Sequence, residues 1–507
     1  MDTVVYFGAR IADFGLHERA GVTRAEDAAL RYAVRGPGGA ELPRRIVPID
    51  DAARALSYLQ LRPVDVLVLD ARTEGELARA RSLLAALYPH GRMSGPLLRK
   101  RIFGLVSEGA SGAGAAFALG QESLGGVLVA PDGPALLARI DSVLSSRAHG
   151  KIAICLAGGG IEGLLYELGV LRALQSYLPS HSVVDFDLFC GISAGAILGS
   201  LLANGIGPDE ILRALEGKSA RLDAITRLDL FEPNLGELGE RALRLALELM
   251  RGGAGPRGAI TSLARAVPTA AFSGRRLGRW LERQLARPGM ADRFADLRRP
   301  LYVGATDQDT SKAVVFGDGP FADVPVSRAV RASTALVPFY PSVEVRGRYY
   351  VDGAFSRTTN MRVAAQKGAT LVLLVDPLVP VRSAEPGYVR ARGGIFAAAQ
   401  GLKALINGRF DKAVSAIQEL HPDVAFHLFR PEGDEMRVLS GSPMKYFYRR
   451  EVEEIAYRTT LEKLRIAFPR LSRDFALHGV ELVEPKRDTV RPPPLVPGLE
   501  PSALGIG

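Results

Sequence analysis

The sequence of 507 residues is poor in cysteine and in aromatic side chains. Its two cysteines, Cys155 and Cys190, lie in apolar stretches typical of buried strands. A fold held together by disulfides is therefore excluded, and we expect two reduced core thiols. Aromatic residues make up 7% of the chain, so nothing indicates a surface that stacks on bases, and we expect no nucleic-acid partner.

Long apolar runs are also missing. No stretch approaches the roughly 20 apolar residues needed to span a bilayer, and the start at Met1 lacks the basic region and apolar stretch of a signal peptide. These features predict a cytoplasmic protein, with peripheral contact to a membrane left open. The 64 Lys and Arg against 55 Asp and Glu give a net charge of +9. This charge favours anionic partners but does not identify them.

The length of the chain predicts about three compact units rather than one. We expect an α/β domain over residues 1–146 and a second α/β domain over residues 150–380. A mostly helical extension packed on the second domain is expected over residues 381–484. A Pro-rich tail over residues 485–507 has the composition of an extended segment that does not pack.

The first unit alternates short apolar runs with helical patterns, which is typical of a parallel sheet flanked by helices. Helices are expected over residues 51–61 and 134–144. Strands are expected over residues 4–7, 45–49, 63–70, 102–106 and 127–129.

This unit resembles a response-regulator receiver domain, which has a flavodoxin-like parallel sheet. Asp70 ends a strand at the position of that family's phosphate-accepting aspartate, and Ser107 ends the next strand where the family carries Ser or Thr. However, Gly8-Ala9-Arg10 replaces the acidic pair that holds magnesium, and Ala130 replaces a lysine. Without these groups phosphoryl transfer to Asp70 loses most of its electrostatic support. The resemblance implies a degenerate receiver that signals by contact; the alternatives are a working phosphoacceptor and an aspartate that simply closes a strand.

A glycine-rich loop follows the first predicted strand of the second unit. The apolar residues 152–156 lead into Gly158, Gly159 and Gly160, and a helical pattern follows. Glycines at the start of a helix bring unpaired N–H groups close to a ligand, so the loop suits negative charge. That charge is either a nucleotide phosphate or the oxyanion of an acyl-transfer intermediate. The loop lacks both the dinucleotide-binding spacing and the Lys-Ser/Thr ending of a phosphate-binding loop, which disfavours a nucleotide.

A second motif, Gly191-Ile192-Ser193-Ala194-Gly195, lies between an apolar strand and a helix. It fits the G-x-S-x-G turn that exposes a nucleophilic serine, and its glycines avoid collisions in a sharp turn. A serine hydroxyl needs a base to accept its proton. Asp352 ends a predicted strand ahead of Gly353 and is the candidate, although an Asp-Gly pair is often only a turn.

The glycine loop, the serine motif and Asp352-Gly353-Ala354, in this order, resemble the patatin-like phospholipase family over about residues 151–380. The run of residues 331–335 is also similar. The resemblance implies a three-layer α/β/α sandwich that hydrolyses acyl esters of lipids. It makes Ser193 the nucleophile, Asp352 the base and Gly158, Gly159 and Gly160 the oxyanion hole, with no metal or cofactor. Glu162 stands where the family commonly has a basic residue.

Other interpretations stay open at the level of sequence. His421, His427 and His478 follow Asp352 in the order of a Ser-Asp-His triad, although His427 lies in a short strand pattern and is expected to be structural. A catalytically silent interaction protein, with a protein partner of the first domain, is the alternative to an enzyme. For an enzyme, the substrate is a phospholipid or another acyl-ester lipid. Residues 230–272 and 443–450 are candidates for its entrance.

Overall fold

The computed structural model describes residues 2–485 with several gaps. The gaps are residues 20, 26–27, 36–40, 63, 89–96, 98, 123, 146–149, 251–268, 357–358, 384, 422–423, 433–434 and 437–448. Apart from Pro485, the expected Pro-rich tail lies outside the described residues. So do parts of the two segments proposed as a lipid entrance.

The described residues form two sheets and their flanking helices. The first sheet contains β1 (Asp2–Phe7), β2 (Thr23–Arg24), β3 (Leu30–Arg35), β4 (Glu41–Ile49), β5 (Val66–Asp70), β6 (Ile102–Val106) and β7 (Val127–Val129). Its helices are α1 (Ala52–Leu61), α2 (Glu74–Leu87), α3 (Gly109–Gly120) and α4 (Gly133–Ser145).

The strand order of this sheet is β2-β3-β4-β1-β5-β6-β7. From β4 to β7 all pairs are parallel, which is the flavodoxin-like order 2-1-3-4-5. Helices α1 to α3 cover one face, and α4 covers the other. The five expected strands and the fold class are therefore confirmed.

The antiparallel strands β2 and β3 were not expected, and they stand where a doubly wound fold has its first helix. Strand β3 carries a signal that the sequence analysis missed. Leu30 and Tyr32 are buried, whereas Arg31 and Ala33 are exposed. This alternation with a period of two is typical of a half-buried strand.

The second sheet has the order β12-β13-β10-β9-β8-β14-β15, and β11 also pairs with β10. Its strands are β8 (Lys151–Leu156), β9 (Leu188–Ile192), β10 (Leu301–Asp307), β11 (Ala313–Phe316), β12 (Val343–Val345), β13 (Arg348–Asp352), β14 (Ala369–Val375) and β15 (Ala425–Phe429). Strands β10, β9, β8, β14 and β15 run parallel.

Helices lie on both faces of the second sheet, so the expected three-layer sandwich is confirmed. They are α5 (Gly160–Ser176), α6 (Ala194–Ala203), α7 (Pro208–Leu215), α8 (Arg227–Leu230), α9 (Leu235–Met250), α10 (Arg275–Leu285), α11 (Val326–Ser333), α12 (Met361–Gln366), α13 (Tyr388–Ala391), α14 (Gly393–Leu420) and α15 (Arg449–Ala476). Helices α5, α6, α11 and α15 share one apolar core, and α12 and α14 share another. Residues after 380 thus supply helices to both faces, and β15 lies at an edge of the sheet.

Nowhere in the part of the chain that the structure describes is there a helix with the length and apolar character needed to cross a membrane.

Candidate active site

Ser193 occupies a strained turn between β9 and α6. Its φ of 54° and ψ of −121° lie in a region that residues with side chains rarely adopt. A Cβ atom at Gly191 would lie 2.5 Å from the carbonyl oxygen of Gly195, and one at Gly195 would lie 2.5 Å from that of Ala157. Glycine is therefore required on both sides of the serine, as the G-x-S-x-G motif predicts.

The sheet brings Asp352 to this turn. Strands β9 and β13 both pair with β10 on the side opposite β11, and they run in opposite directions. Gly304 pairs with Ile192, and the next residue, Ala305, pairs with Asp352. The ends of the two strands therefore meet beside β10. The hydroxyl of Ser193 lies close enough to the carboxyl of Asp352 to lower the pKa of that carboxyl.

The carboxyl of Asp352 lies in a dry environment, with 1% of the residue exposed. The backbone N–H of Ala354 donates to its Oδ1 at 2.9 Å. Burial raises the pKa of Asp352 to about 6, and the nearby hydroxyl of Ser193 and the hydrogen bond from Ala354 oppose this rise. At neutral pH the group is thus ionised but is a stronger base than an exposed aspartate.

The glycine loop approaches the serine from the other side. A Cβ atom at Gly158 would lie 3.0 Å from the Cβ of Ser193. Gly159 caps α5, and Gly160 begins it with a φ of 62° that favours glycine. The first N–H groups of a helix have no partner within it. Because Gly160 and Ser193 line the same cavity, these donors are available to a negative charge that forms at the serine.

An apolar cavity begins at Ser193. Most of its wall is aliphatic or aromatic, and it includes side chains from α5, α6, α10 and the segment after α11. The lining residues are Gly160, Ile161, Leu164, Leu165, Ser193, Ala194, Ile197, Leu215, Ile225, Leu230, Leu277, Thr334, Leu336, Phe339 and Tyr340. Such a wall suits a hydrocarbon chain better than a polar substrate.

Residues 154–365 match the model of the patatin-like phospholipase family. The chain therefore contains a patatin-like phospholipase domain, which indicates a lipid acyl hydrolase in general. Two solved structures are distantly similar. VipD from Legionella pneumophila is 15% identical over 63% of this chain and 67% of that chain, with a TM-score of 0.28. Full-length ExoU of Pseudomonas aeruginosa, in complex with SpcU, is 16% identical over 64% and 70%, with a TM-score of 0.23. A comparison with curated proteins finds no match.

Within the patatin-like domain, Ser333 ties the serine turn to the sheet. Its Oγ accepts a hydrogen bond from the backbone N–H of Ser193 at 2.8 Å and donates to the carbonyl of Gly304 at 2.6 Å. The run of residues 331–335 was noted only as a similarity of sequence. Its position shows one reason for a serine there, since the hydroxyl both accepts and donates.

Helix α14, which follows the patatin-like domain, also supports the site. Arg409 donates to the carbonyl groups of Ala354 and Phe355 at 2.9 and 2.6 Å, next to the candidate base. No motif marked this arginine, because the contact depends on how a distant helix packs.

Glu162, which stands where the patatin-like family commonly has a basic residue, interacts with the positive charge of Lys403 from α14. Glu162 and Lys403 are both buried. Burial lowers the pKa of Lys403, and the negative charge of Glu162 opposes this change. Leu402 and Ile406, neighbours on the same helix, pack in a small apolar cluster with Ile192. A positive charge thus reaches the start of α5 from another part of the chain.

The structure does not bring the three candidate histidines to Ser193. His427 hydrogen-bonds Asp474 at 2.8 Å in a buried cluster, and His478 hydrogen-bonds a threonine at the start of β14 at 2.7 Å. His421 lies between α14 and β15. Ser193 follows the carboxyl end of a parallel strand, whereas His421 and His478 lie at the amino ends, which form the opposite edge of the sheet.

In the first sheet, the carboxyl of Asp70 accepts hydrogen bonds from two neighbouring side chains. The hydroxyl of Tyr6 donates to it at 2.6 Å, and Arg72 donates through Nε and Nη2 at 2.9 and 2.7 Å. Burial favours the neutral acid, but the hydrogen bonds from Arg72 and Tyr6 outweigh it and lower the pKa of Asp70. Gly8 packs directly against Asp70, since a Cβ there would lie 2.5 Å from its Cβ. Among the residues described, no cluster of His, Cys, Asp and Glu is able to hold a metal ion.

Proposed function

We propose that this protein is a serine lipid acyl hydrolase of the phospholipase A or lysophospholipase type, with Ser193 and Asp352 as its catalytic dyad. The observation that carries the proposal is that a strained serine at an apolar cavity and a buried carboxylate lie close together where β9 and β13 end beside β10. The division into domains expected from the sequence, at residues 146–150, 380 and 485, is part of the same proposal.

In the first step, Oγ of Ser193 attacks the ester carbonyl carbon while its proton passes to Asp352. The buried carboxylate suits this role, because burial raises its pKa to about 6 and so increases its basicity. The carbonyl oxygen becomes an oxyanion beside the N–H groups of Gly158, Gly159 and Gly160. Such a donor stabilises the transition state by about 3 kcal/mol in other serine hydrolases.

In the second step, the tetrahedral intermediate collapses and the alcohol leaves with the proton held by Asp352. An acyl-enzyme on Ser193 remains. Water then attacks the acyl carbon as Asp352 accepts one of its protons, and the fatty acid leaves as the proton returns to Oγ. The carboxylate and the hydroxyl are thus regenerated, and neither a metal nor a cofactor takes part.

We infer a lipid substrate from the apolar wall of the cavity. Side chains such as Leu164, Ile197 and Leu336 line the space next to Ser193 and offer a fatty acyl chain apolar surface. Burial of a hydrocarbon chain stabilises the complex by about 0.8 kcal/mol for each CH₂ group. The cavity therefore favours long acyl chains over short ones.

Peripheral contact with a membrane is assigned to α9. Leu235, Leu243 and Leu247 are exposed on this helix. Their spacing by multiples of four residues places them along one face. Helix α9 follows Leu230, which lines the cavity. An apolar stripe beside the entrance is suited to the interface of a lipid surface.

The first domain is assigned a regulatory role through contact and not through phosphorylation. The positively charged guanidinium of Arg72 already donates two hydrogen bonds to the carboxyl of Asp70. The domain touches the rest of the chain where Arg473 of α15 donates to the carbonyl of Val64. Helix α15 packs along α5, which begins at the glycine loop. A protein partner of the first domain would thus be linked to the candidate site by two helices.

Labelling with a fluorophosphonate tests the dyad, because this reagent requires an activated serine hydroxyl. We expect one labelled site in the full chain and none in Ser193→Ala. Ser200→Ala is the matched control, since Ser200 is buried on α6, the helix that follows Ser193, and its hydroxyl donates to the carbonyl of Ile197. An unlabelled parent chain that fails to hydrolyse lipid esters would support the silent interaction protein instead.

A further inference from the structure

Arg331, near the end of α11, is a buried cation without a carboxylate partner among the described residues. It is 8% exposed. Its Nη2 donates to the carbonyl of Ser273 at 2.7 Å, and its guanidinium carbon lies 5.9 Å from the centre of the Tyr340 ring. Within the described parts of the chain, its Nη1 has no hydrogen-bond partner. A buried donor and charge in this state are costly unless an anion compensates them.

The fold makes room for this guanidinium. A Cβ atom at Gly274 would collide with it, and one at Gly278 would be in contact with its stem. Burial lowers the pKa of Arg331 to about 10, so the group keeps its positive charge at neutral pH. The fold therefore leaves space for a buried arginine that stays positively charged at neutral pH.

The space around Arg331 opens into a pocket with a basic lining. Arg275, Arg279 and Arg328 also line it and are exposed at its rim, and two glutamates, Glu282 and Glu344, are present as well. The lining thus carries four positive and two negative charges, and one of the arginines, Arg279, also forms an ion pair with Glu232 at 3.7 Å. Arg328 donates to the backbone carbonyl of Glu344 at 2.6 Å and so is not neutralised by that contact. The remaining lining residues are Ser273, Gly278, Ser327, Pro341, Ser342 and Val343.

The basic pocket and the apolar cavity are neighbours. Tyr340 lines the cavity, and its ring also faces the guanidinium of Arg331. Along the chain, Arg331 is followed by Ser333, which holds the serine turn, and by Thr334, which lines the cavity. One aromatic ring therefore lies between a site for hydrocarbon and a site for negative charge.

We propose that the basic pocket formed by Arg331, Arg275, Arg279 and Arg328 binds a phosphate group. Arginine is suited to this ligand, since its planar fork donates to two phosphate oxygens at once. Arg331 supplies the inner positive charge, and the rim arginines close around the outer oxygens. The phosphate belongs either to an anionic lipid at a membrane surface or to a free phosphate compound. The site goes beyond the proposed hydrolase function, because binding does not require Ser193.

The test uses the full chain carrying Ser193→Ala, so that no lipid is consumed. Titration calorimetry measures binding of inorganic phosphate. Co-sedimentation compares phosphatidylcholine vesicles with vesicles that also contain phosphatidic acid. The variants Arg331→Gln and Arg275→Gln/Arg328→Gln are expected to weaken phosphate binding about tenfold or more, since each removes charged hydrogen bonds. Arg213→Gln is the control, because Arg213 is exposed on α7 and does not line the pocket.

Binding of inorganic phosphate that both pocket variants weaken supports the site. If phosphatidic acid also increases vesicle binding and both variants abolish the increase, the source is a lipid headgroup. If vesicle binding ignores phosphatidic acid, the source is free phosphate. The absence of both kinds of binding, or full binding by the rim variant, would overturn the proposal. If Arg331→Gln lowers the melting temperature sharply, the result for Arg275→Gln/Arg328→Gln, which changes only exposed residues, decides whether the pocket binds phosphate. None of these readouts depends on ester hydrolysis.

Discussion

Replacing Asp352 by asparagine should inactivate the enzyme and at the same time stabilise the fold. The carboxylate has a pKa of about 6 in the folded protein because burial disfavours its charge. In an unfolded chain the pKa of an aspartate is about 3.9. Above pH 6 the folded state therefore contains an ionised group that would be more stable in water. Asparagine has nearly the same shape but no charge.

The magnitude follows from the difference of about 2 pKa units, which corresponds to about 3 kcal/mol at pH 7. Because the folded pKa is the higher one, the parent protein takes up its proton first as the pH falls. Its stability relative to Asp352→Asn should rise between pH 6 and pH 4, so that the difference disappears near pH 4. Asparagine can still accept the hydrogen bond from Ala354, which limits any loss.

Thermal unfolding of both proteins, at several pH values between 4 and 8, measures this effect. Ester hydrolysis and fluorophosphonate labelling are measured on the same samples. We expect a higher melting temperature for Asp352→Asn at pH 7, convergence near pH 4, and no hydrolysis at any pH. An active variant would refute the role of Asp352 as the base. An inactive variant with unchanged stability at every pH would refute the reasoning about its burial.

Four further outcomes are expected. The ratio kcat/KM for a soluble ester should fall about tenfold per pH unit below pH 6, since Asp352 loses its basic form as it is protonated. Ile197→Trp should fill the cavity next to Ser193 and shift preference from palmitoyl to butyryl esters. Leu243→Asp should reduce hydrolysis of vesicle lipids and spare soluble esters, because the proposed contact with the lipid surface uses this exposed leucine. Incubation with acetyl phosphate and Mg²⁺ should leave the mass of the protein unchanged, because Arg72 occupies the surroundings of Asp70.

Each of these outcomes has a control. A flat profile between pH 5 and 7 would contradict the pKa of Asp352. Ile197→Val keeps the cavity open and should retain the palmitoyl preference. Leu243→Ala should show an intermediate loss on vesicles, and equal losses on both substrates would contradict a membrane role. A gain of one phosphate that Asp70→Asn removes would show a working phosphoacceptor.

The sequence predicted the positions at which backbone chemistry restricts the choice of residue. The turn at Ser193 leaves no space for a Cβ on either side, so the G-x-S-x-G pattern is readable without coordinates. Likewise, most of the parallel strands of both sheets are buried and therefore appear as apolar runs. The fold class, the glycine loop and the candidate dyad were accessible for this reason.

Contacts between distant segments were decided only by the tertiary structure. The meeting of β9 and β13 beside β10 depends on sheet register, which no local pattern encodes. Lys403 and Arg409 reach the site because α14 packs on it. Arg331 is unusual because it is buried with no carboxylate partner among the residues that the structure describes. Burial and counter-ions are properties of the packed chain. The sequence therefore determined which groups are available for chemistry, whereas packing decided which of them meet and with what charge.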